Sequence, residues 1–502
     1  MAGGEESGEA TAVANRGAYR LTIMPNTTPE REQDPSTTPA GLRRWTRRGA
    51  GAGIVAGVAL AVVVLGGALT GPAGPPVDAA SPVPSSASAT LAASSGGPAP
   101  TARPTPSTPL PGASADPGAS PDPDPSPTMD PQALAILLDG RLEDLRRRAG
   151  IPGVSVAIVW DDGRRWLGAS GSADVARKQP MTTGTAFALA SVSKTMTAAV
   201  VLQLVGEGRL ALDQAVAPLL PAYRLDRRIT VRMLLDHTSG LPDYFLNPKI
   251  DKPLQARPDA AWTPARAWSF VVARRPVPGT VWRYSNTNYL LLGELVAAVT
   301  GRPLAVEVSD RILDPLALET AWYQAVESPR TTGATGYRRV AKPGGGSRYV
   351  AVALPSEVMP FRSVVTAAGG AGSIASTALD AARWMGAFAG GRVLRADLQA
   401  AMIADAAATG AMPSGSMYGL GIRVLAMDGR RALGHSGRFL GFRNVVVYLP
   451  DARLTIAVLT NQGTYDPARI AAQLVRIVAP RQVVLPSPSA PASSPAPSSA
   501  VP

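Results

Sequence analysis

The chain has 502 residues, enough for one large domain or two or three ordinary ones, and its 45% hydrophobic content is ample for a packed core. With 0 Cys it can hold no disulfide, no thiolate nucleophile and no cysteine metal site. The formal charge of +12 rests mostly on scattered arginines with few aromatics between them and no recognition-helix or RNA-binding signature, so nucleic acid is not expected as a partner.

Residues 1–50 are polar and rich in Thr, Glu and Pro, and are expected to be disordered. Residues 51–70, "GAGIVAGVALAVVVLGGALT", carry no charge and match the length of a membrane-crossing helix. Arg43, Arg44, Arg47 and Arg48 precede this run, and the first charge after it is Asp78. Positive charge stays on the cytoplasmic side, so the reading is a single-pass signal anchor in the cell membrane. Its N-terminus would be cytoplasmic and everything beyond it extracellular. A cleaved signal peptide is the rival reading, and a leading segment of some fifty residues is far longer than such signals carry.

The 50 Gly and 48 Pro are too many for a compact domain throughout. They concentrate in a Pro/Ser/Ala-rich stretch, 71–130, and a similar tail, 481–502, read as an extended linker and a disordered end. A polyproline-like linker of that length reaches on the order of 150–180 Å at about 3.1 Å per residue. One folded body remains, 131–480.

Leu134, Leu137, Leu138, Leu142 and Leu145 recur at helical spacing and predict an amphipathic helix over 131–149. "GVSVAIVWDDGRRWLGASG" predicts a hairpin turning at Asp161-Asp162-Gly163. "FRNVVVYLPDARLTIAVLTN" predicts a second, turning at Pro450-Asp451, and Ile470, Leu474, Ile477 and Val478 mark a closing helix. The middle, 195–400, reads as helices and Gly/Pro-punctuated loops. The economical architecture is one antiparallel sheet built from both ends, covered by the terminal helices, with a helical region inserted.

Three short motifs carry chemistry. In "ASVSKTMTAAVVLQLV" Ser191 and Lys194 lie one helical turn apart on one face, so the amine can reach the hydroxyl. A serine is a poor nucleophile unless something takes its proton, and a lysine held neutral by a dry, positively charged pocket can do so. The start of a helix also aims N–H groups at a developing oxyanion. In "WRYSNTNYLLLGELV" Tyr284 offers a phenol for proton transfer and Asn286 an amide for holding a substrate amide. In "LGHSGRFLGF" the run His435-Ser436-Gly437 is expected at the edge of a strand, where glycine admits close approach of a ligand. Taken singly, each has a plainer reading: a capping serine with a surface lysine, a core tyrosine at a turn, a hydrogen-bonded loop histidine.

In this order and at these separations, the three motifs resemble the serine β-lactamase and penicillin-binding protein superfamily. The look is that of class C β-lactamases and D-alanyl-D-alanine carboxypeptidases, and it extends through "ITVRMLLDHTSGLPDY", "AAGGAGSIASTALDAARWM" and "YGLGIRV". The resemblance implies an α/β (α+β) fold of the β-lactamase/transpeptidase type, a five-stranded antiparallel sheet flanked by helices with an inserted helical subdomain. It implies Ser191 as the acylated nucleophile, Lys194 as its proton acceptor and Tyr284 as the proton shuttle. Asn286 would bind the substrate amide, and His435, Ser436 and Gly437 would line the opposite wall. The N–H groups of Ser191 and Arg438 would form the oxyanion hole, and Arg423 lies where such carboxypeptidases hold a substrate carboxylate.

Departures exist. The third motif often begins with Lys and here begins with His435, a weaker attractor of carboxylates. No counterpart of the deacylating glutamate of class A enzymes is visible, and His237 is read as structural. Two distant histidines without Cys or HExxH make a metal site improbable, and no cofactor is expected. "KPGGGSR" at 342–348 and "AGGAGS" at 368–373 read as plain loops. The expected activity is D-alanyl-D-alanine carboxypeptidase-like hydrolysis of peptidoglycan stem peptides by a monomer. The alternatives are an esterase, a D-amino-acid amidase or a β-lactamase on the same scaffold, and a non-catalytic penicillin-binding-like receptor.

Overall fold

The computed structural model describes residues 130–272, 276–342, 344–352, 359–408 (without the side chains of 405–408) and 416–480. Apart from residue 130, the expected cytoplasmic segment, membrane helix, linker and tail lie outside these residues. Among the described residues no single helix is long and apolar enough to cross a bilayer.

Asp130 starts helix α1 (Pro131–Ala149) by accepting the Ala133 N–H, and Gly150 ends it in the left-handed region at φ 59°. Strands β1 (Gly153–Trp160) and β2 (Arg165–Asp174) form the first hairpin, with Gly163 at φ 90° in its turn. A two-residue strand, β3 (Gln179–Pro180), flanks β2. Late in the chain β4 (Met417–Tyr418), β5 (Arg423–Met427), β6 (Arg430–Phe439), β7 (Phe442–Leu449) and β8 (Leu454–Thr460) follow one another as antiparallel neighbours. The two groups join where β1 pairs antiparallel with β8, Val154 opposite Thr460, so the sheet runs β3-β2-β1-β8-β7-β6-β5-β4.

Among the described residues the sheet therefore has eight strands where five were expected. The class of fold stands, and the extra strands have a physical reason. β6 is arginine- and glycine-rich and β5 is only five residues long, so both lack the dense Val/Ile alternation that announces β1, β7 and β8. Two smaller sheets were not foreseen. Tyr337–Ala341 pairs with Ser347–Ala351 as a hairpin, so the end of the segment read as a loop, Ser347 and Arg348, is strand. Phe187–Ala188, Ile374–Ser376 and Trp322–Tyr323 make a small three-stranded sheet.

The two faces of the main sheet separate as strand alternation requires. Ala157, Val446 and Tyr448 join one apolar cluster with α2 (Ser193–Gly206), α3 (Asn286–Thr300) and α4 (Ala378–Ala389). Val154, Val156, Ile158, Val445 and Val447 join another with α1 and α5 (Ala468–Val478). α2 is buried on nearly all sides, the mark of a helix through the middle of a body. Leu474 of α5 is fully buried against the face remote from α2. Leu474→Ala should lower unfolding stability by about 2–5 kcal/mol through a cavity, read by urea titration. The folded fraction should keep its turnover.

Candidate active site

A 3-10 turn, Ala190–Val192, runs directly into α2, so Ser191 and Lys194 sit one turn apart at the head of a buried helix. Ala190 is held at φ 50°, a conformation alanine adopts only under constraint. The constraints are close by. The Leu189 N–H donates to the Ile374 carbonyl at 2.9 Å, and Asn444 of β7 donates through Nδ2 to the Ala188 carbonyl at 2.8 Å.

Lys194 is fully buried while Ser191 is partly exposed. The Lys194 Nζ lies 2.7 Å from Asn286 Oδ1, 2.8 Å from the Ala371 carbonyl and 3.1 Å from Ser191 Oγ. Burial pushes its pKa down to about 7, with the Asp243 carboxylate opposing and the Arg423 guanidinium adding to the fall. A neutral amine has two N–H donors and one lone pair. In that form the two shorter contacts use the donors, and the lone pair is left for the Ser191 hydroxyl, the contact at 3.1 Å that the ammonium form makes as a donor.

Tyr284 precedes α3, and its hydroxyl is sealed from solvent without a hydrogen-bond partner of ordinary geometry among the described residues. Burial, then the neighbouring Tyr418, push this phenol well above its usual range, while Arg423 and the Ser191 hydroxyl pull the other way. Tyr284 is thus a protonated phenol beside Ser191, and its ring centroid lies 5.1 Å from Lys194 Nζ. An unsatisfied buried O–H of this kind is costly until an acceptor arrives.

β6 forms the opposite wall. A Cβ at Gly437 would fall 2.0 Å from the Leu189 carbonyl oxygen and 3.3 Å from the Ser191 nitrogen, so only glycine lets this strand lie against the nucleophile turn. His435-Ser436-Gly437 lie within a ten-residue strand and pair with Val446, Val445 and Asn444 of β7 on one side, while β5 pairs with β6 only from Arg430 to Gly434, so on the other side the strand pairing stops short of these three residues. Arg438 follows on the same strand, half-buried and opposite Arg443 of β7. His435 is fully buried: Tyr418 donates its O–H to Nε2 at 3.0 Å, and Nδ1–H donates to the Ser436 carbonyl at 2.6 Å. Burial, with Arg423 and Lys194 nearby, holds its pKa well below the usual value, so His435 is neutral.

Arg423 opens β5 and is only 6% exposed. Its guanidinium carbon lies 5.6 Å from the Tyr284 ring centroid and 5.8 Å from that of Tyr418. The Arg423 Nε has no hydrogen-bond partner among the described residues.

Several contributors were not legible as motifs. Asp243, in "GLPDY", accepts from Asn286 Nδ2 at 2.7 Å and so stands behind the Lys194 partner. The "AGGAGS" segment is a short 3-10 turn, Gly369–Ala371, whose carbonyls receive Lys194 and Thr197. Tyr418 orders His435. His237 is fully buried at φ 69°, and its Nδ1 accepts from the Ser285 N–H at 3.3 Å and Asn288 Nδ2 at 3.0 Å. Its ring centroid is 4.4 Å from that of Tyr284, so it shapes the Tyr-Ser-Asn segment rather than facing Ser191 as a base.

The sequence model of the family described as Beta-lactamase matches residues 138–479. The chain belongs to the beta-lactamase family. Members named for related chemistry are recognisable relatives. The chain is 30% identical over 332 residues to a D-aminopeptidase of Brucella anthropi, covering 65% of this chain and 59% of that protein. It thus spans less than two-thirds of that relative's length. It is also 30% identical over 338 residues to penicillin-binding protein 4 of Amycolatopsis lactamdurans, covering 64% of this chain and 84% of that one. Among solved structures, the D-amino acid amidase of Ochrobactrum anthropi SV3 superposes with a TM-score of 0.59 at 25% identity, over 69% of this chain and 98% of the amidase. A D-stereospecific amidohydrolase from Streptomyces sp. gives 0.54 at 27% identity, over 67% and 95%. Within this beta-lactamase-family domain Ser191, Lys194 and Tyr284 assemble into one site of the kind serine hydrolysis requires.

Proposed function

We propose that this protein is a serine hydrolase that cleaves the terminal peptide bond of D-residue peptides that end in a free carboxylate, as a D-alanyl-D-alanine carboxypeptidase does. The observation that carries this reading is Arg423. A guanidinium taken out of water without an ion-pair partner among the described residues is costly. A substrate carboxylate, bound through charge-assisted hydrogen bonds, offsets that cost.

The residues divide the chemistry as follows. Ser191 Oγ attacks the scissile carbonyl carbon and gives its proton to Lys194 Nζ. The oxyanion forms between the backbone N–H groups of Ser191 and Arg438. Asn286, with one amide hydrogen engaged by Asp243, has the other for the acyl-side carbonyl of the substrate. As the C–N bond breaks, the Tyr284 O–H protonates the leaving amine, and the Lys194 ammonium restores the phenol. Water then attacks the Ser191 ester, losing its proton to the same base system and returning free serine and the shortened acid. His435, Ser436 and Gly437 line the wall along which the substrate backbone lies. A neutral His435 leaves the carboxylate to Arg423. In this reading the body works outside the cell, as a monomer tethered by residues 51–70, on peptidoglycan stem peptides, and β-lactams acylate the same serine.

The named relatives favour a second reading, an amidase or aminopeptidase for D-residues without a free carboxylate. Arg423→Leu separates the two. On a peptide ending in D-Ala-D-Ala, kcat/KM should fall at least ~100-fold, as loss of a buried charged contact does. On D-phenylalanine amide it should change less than about 5-fold. Better wild-type turnover of the amide, with an equal loss on both substrates in the variant, would establish the amidase reading instead.

A further inference from the structure

We infer that Asp243 is a positioning residue for the acyl-transfer step: by fixing which end of the Asn286 carboxamide meets Lys194, it keeps the lysine lone pair on Ser191. The inference rests on the proposed roles of Ser191 and Lys194, and not on which acyl donor is natural.

The geometry is a chain of three groups. Asn286 accepts Lys194 Nζ on Oδ1 at 2.7 Å and donates from Nδ2 to Asp243 Oδ2 at 2.7 Å. Asp243 Oδ1 receives the Phe245 N–H at 3.0 Å, and the carboxylate also meets the backbone N–H of Asn286. The hydrogen-bonding groups that the described residues turn toward Asp243 are donors, which suits an ionised carboxylate, while burial, the larger influence, pushes its pKa up. A carboxamide is nearly symmetric in shape, and its two ends exchange by a half-turn about one bond. Beside Asp243 that freedom disappears. A carboxylate can only accept, so the NH2 end must face it and the oxygen must face Lys194.

The orientation matters because of what Lys194 does with its electrons. With an acceptor on Asn286 and another on Ala371, both N–H bonds of the neutral amine are used and the lone pair is free for Ser191. If the carboxamide turned over, its NH2 would donate to that lone pair and compete with the Ser191 hydroxyl. Asp243 also acts through its charge. The groups around Lys194 are Asp243 from the 237–244 loop, Arg423 from β5, neutral His435 from β6, neutral His237, and the protonated rings of Tyr284 and Tyr289. Asp243 is the group in this set that favours the ammonium, and Arg423 disfavours it.

Removing the carboxylate thus makes two changes of opposite appearance. The lysine is neutral at lower pH, yet its lone pair is less available to the serine. Acylation by a short-chain nitrophenyl ester, followed in single turnovers from pH 5 to 9 on the full chain, reads both. For Asp243→Asn the plateau rate should fall about 10–100-fold, as loss of an outer partner of a reacting group does, while the acid limb moves down by about one pH unit. Asp243→Glu, which keeps the charge, should hold the limb within a few tenths of a unit of the wild type. A structural role alone would lower rate or stability and leave the limb in place, and that result overturns the inference. Should Asp243→Asn not fold, the exchange Asp243→Asn with Asn286→Asp carries the test. It moves the carboxylate next to Lys194, so the limb should rise above the wild-type position, and an unmoved limb is again a refutation. Wild-type protein that no acyl donor labels would remove the acyl-enzyme reading itself. Labelled wild type with an unmoved Asp243→Asn limb removes the role of Asp243 alone.

Discussion

Lys194→Met should slow acylation of Ser191 by about 10³-fold or more while leaving a folded protein. Methionine has nearly the length of lysine and fits an apolar slot, but it cannot accept a proton. Among the described residues neither histidine then replaces the lysine as a base, since His237 is turned toward the Ser285 N–H and Asn288, and His435 is engaged by Tyr418 and the Ser436 carbonyl. General-base assistance is worth about 10²–10⁴-fold, and the loss of a nucleophile's activating partner falls at the upper part of that range. The pH profile supplies a second signature. With Lys194 held at about 7 by burial, the wild-type rate should rise as pH passes that value, because the neutral amine is the active form. In Lys194→Met that limb should vanish from single-turnover rates measured between pH 5 and 9. A variant that retains both the rate and the limb would assign the base elsewhere.

Gly437→Ala is expected to be nearly as damaging from a single methyl group. The added carbon would lie 2.0 Å from the Leu189 carbonyl oxygen, a backbone atom that no rotamer change can move. That carbonyl belongs to a segment fixed at φ 50° at Ala190 and tied to β7 through Asn444, so the strain must separate β6 from the nucleophile turn. Overpacking of this kind costs about 1–3 kcal/mol, and opening an oxyanion hole costs about 10²–10³-fold in kcat. Thermal unfolding and acylation rates measured together should show both losses. Gly140→Ala is the control. It lies in α1, where the new carbon meets nothing within 4 Å, and should be neutral or slightly stabilising. Equal behaviour of the two variants would mean that β6 is not pressed against Ser191.

The parts of the fold that the sequence announces are those in which one physical signal is dense. α1 shows its leucine spacing between Asp130 and Gly150, and β1, β7 and β8 show β-branched runs around tight turns. β5 and β6 hide because half their side chains are arginine, glycine or alanine, chosen for what crosses the strand rather than for the pleat. Gly434 and Gly437 are there because the Val446 and Leu189 carbonyls come within 2.1 and 2.0 Å of where a Cβ would stand. No periodicity encodes such a contact.

The site divides along the same line. Ser191 and Lys194 are local, three residues apart on a helix, and their meeting follows from helical geometry alone. Asn286 reaches the same lysine across 92 residues, and Asp243 reaches Asn286 across 43, so their roles depend on tertiary contacts. The Ala371 carbonyl escapes any reading of side chains because the acceptor is backbone. Arg423 is ambiguous in sequence for a further reason: whether an arginine at the start of a strand faces water or a cleft is decided by what packs over it. Here Tyr284 and Tyr418 do, and the exposure falls to 6%.

Intact-protein mass spectrometry after incubation with a slowly hydrolysed β-lactam or activated ester tests the account at its root. The wild-type chain should gain the mass of one acyl group, mapped by peptide digestion to the segment carrying Ser191, and Ser191→Ala should gain none. An adduct that persists in the alanine variant, or maps to another residue, would contradict it.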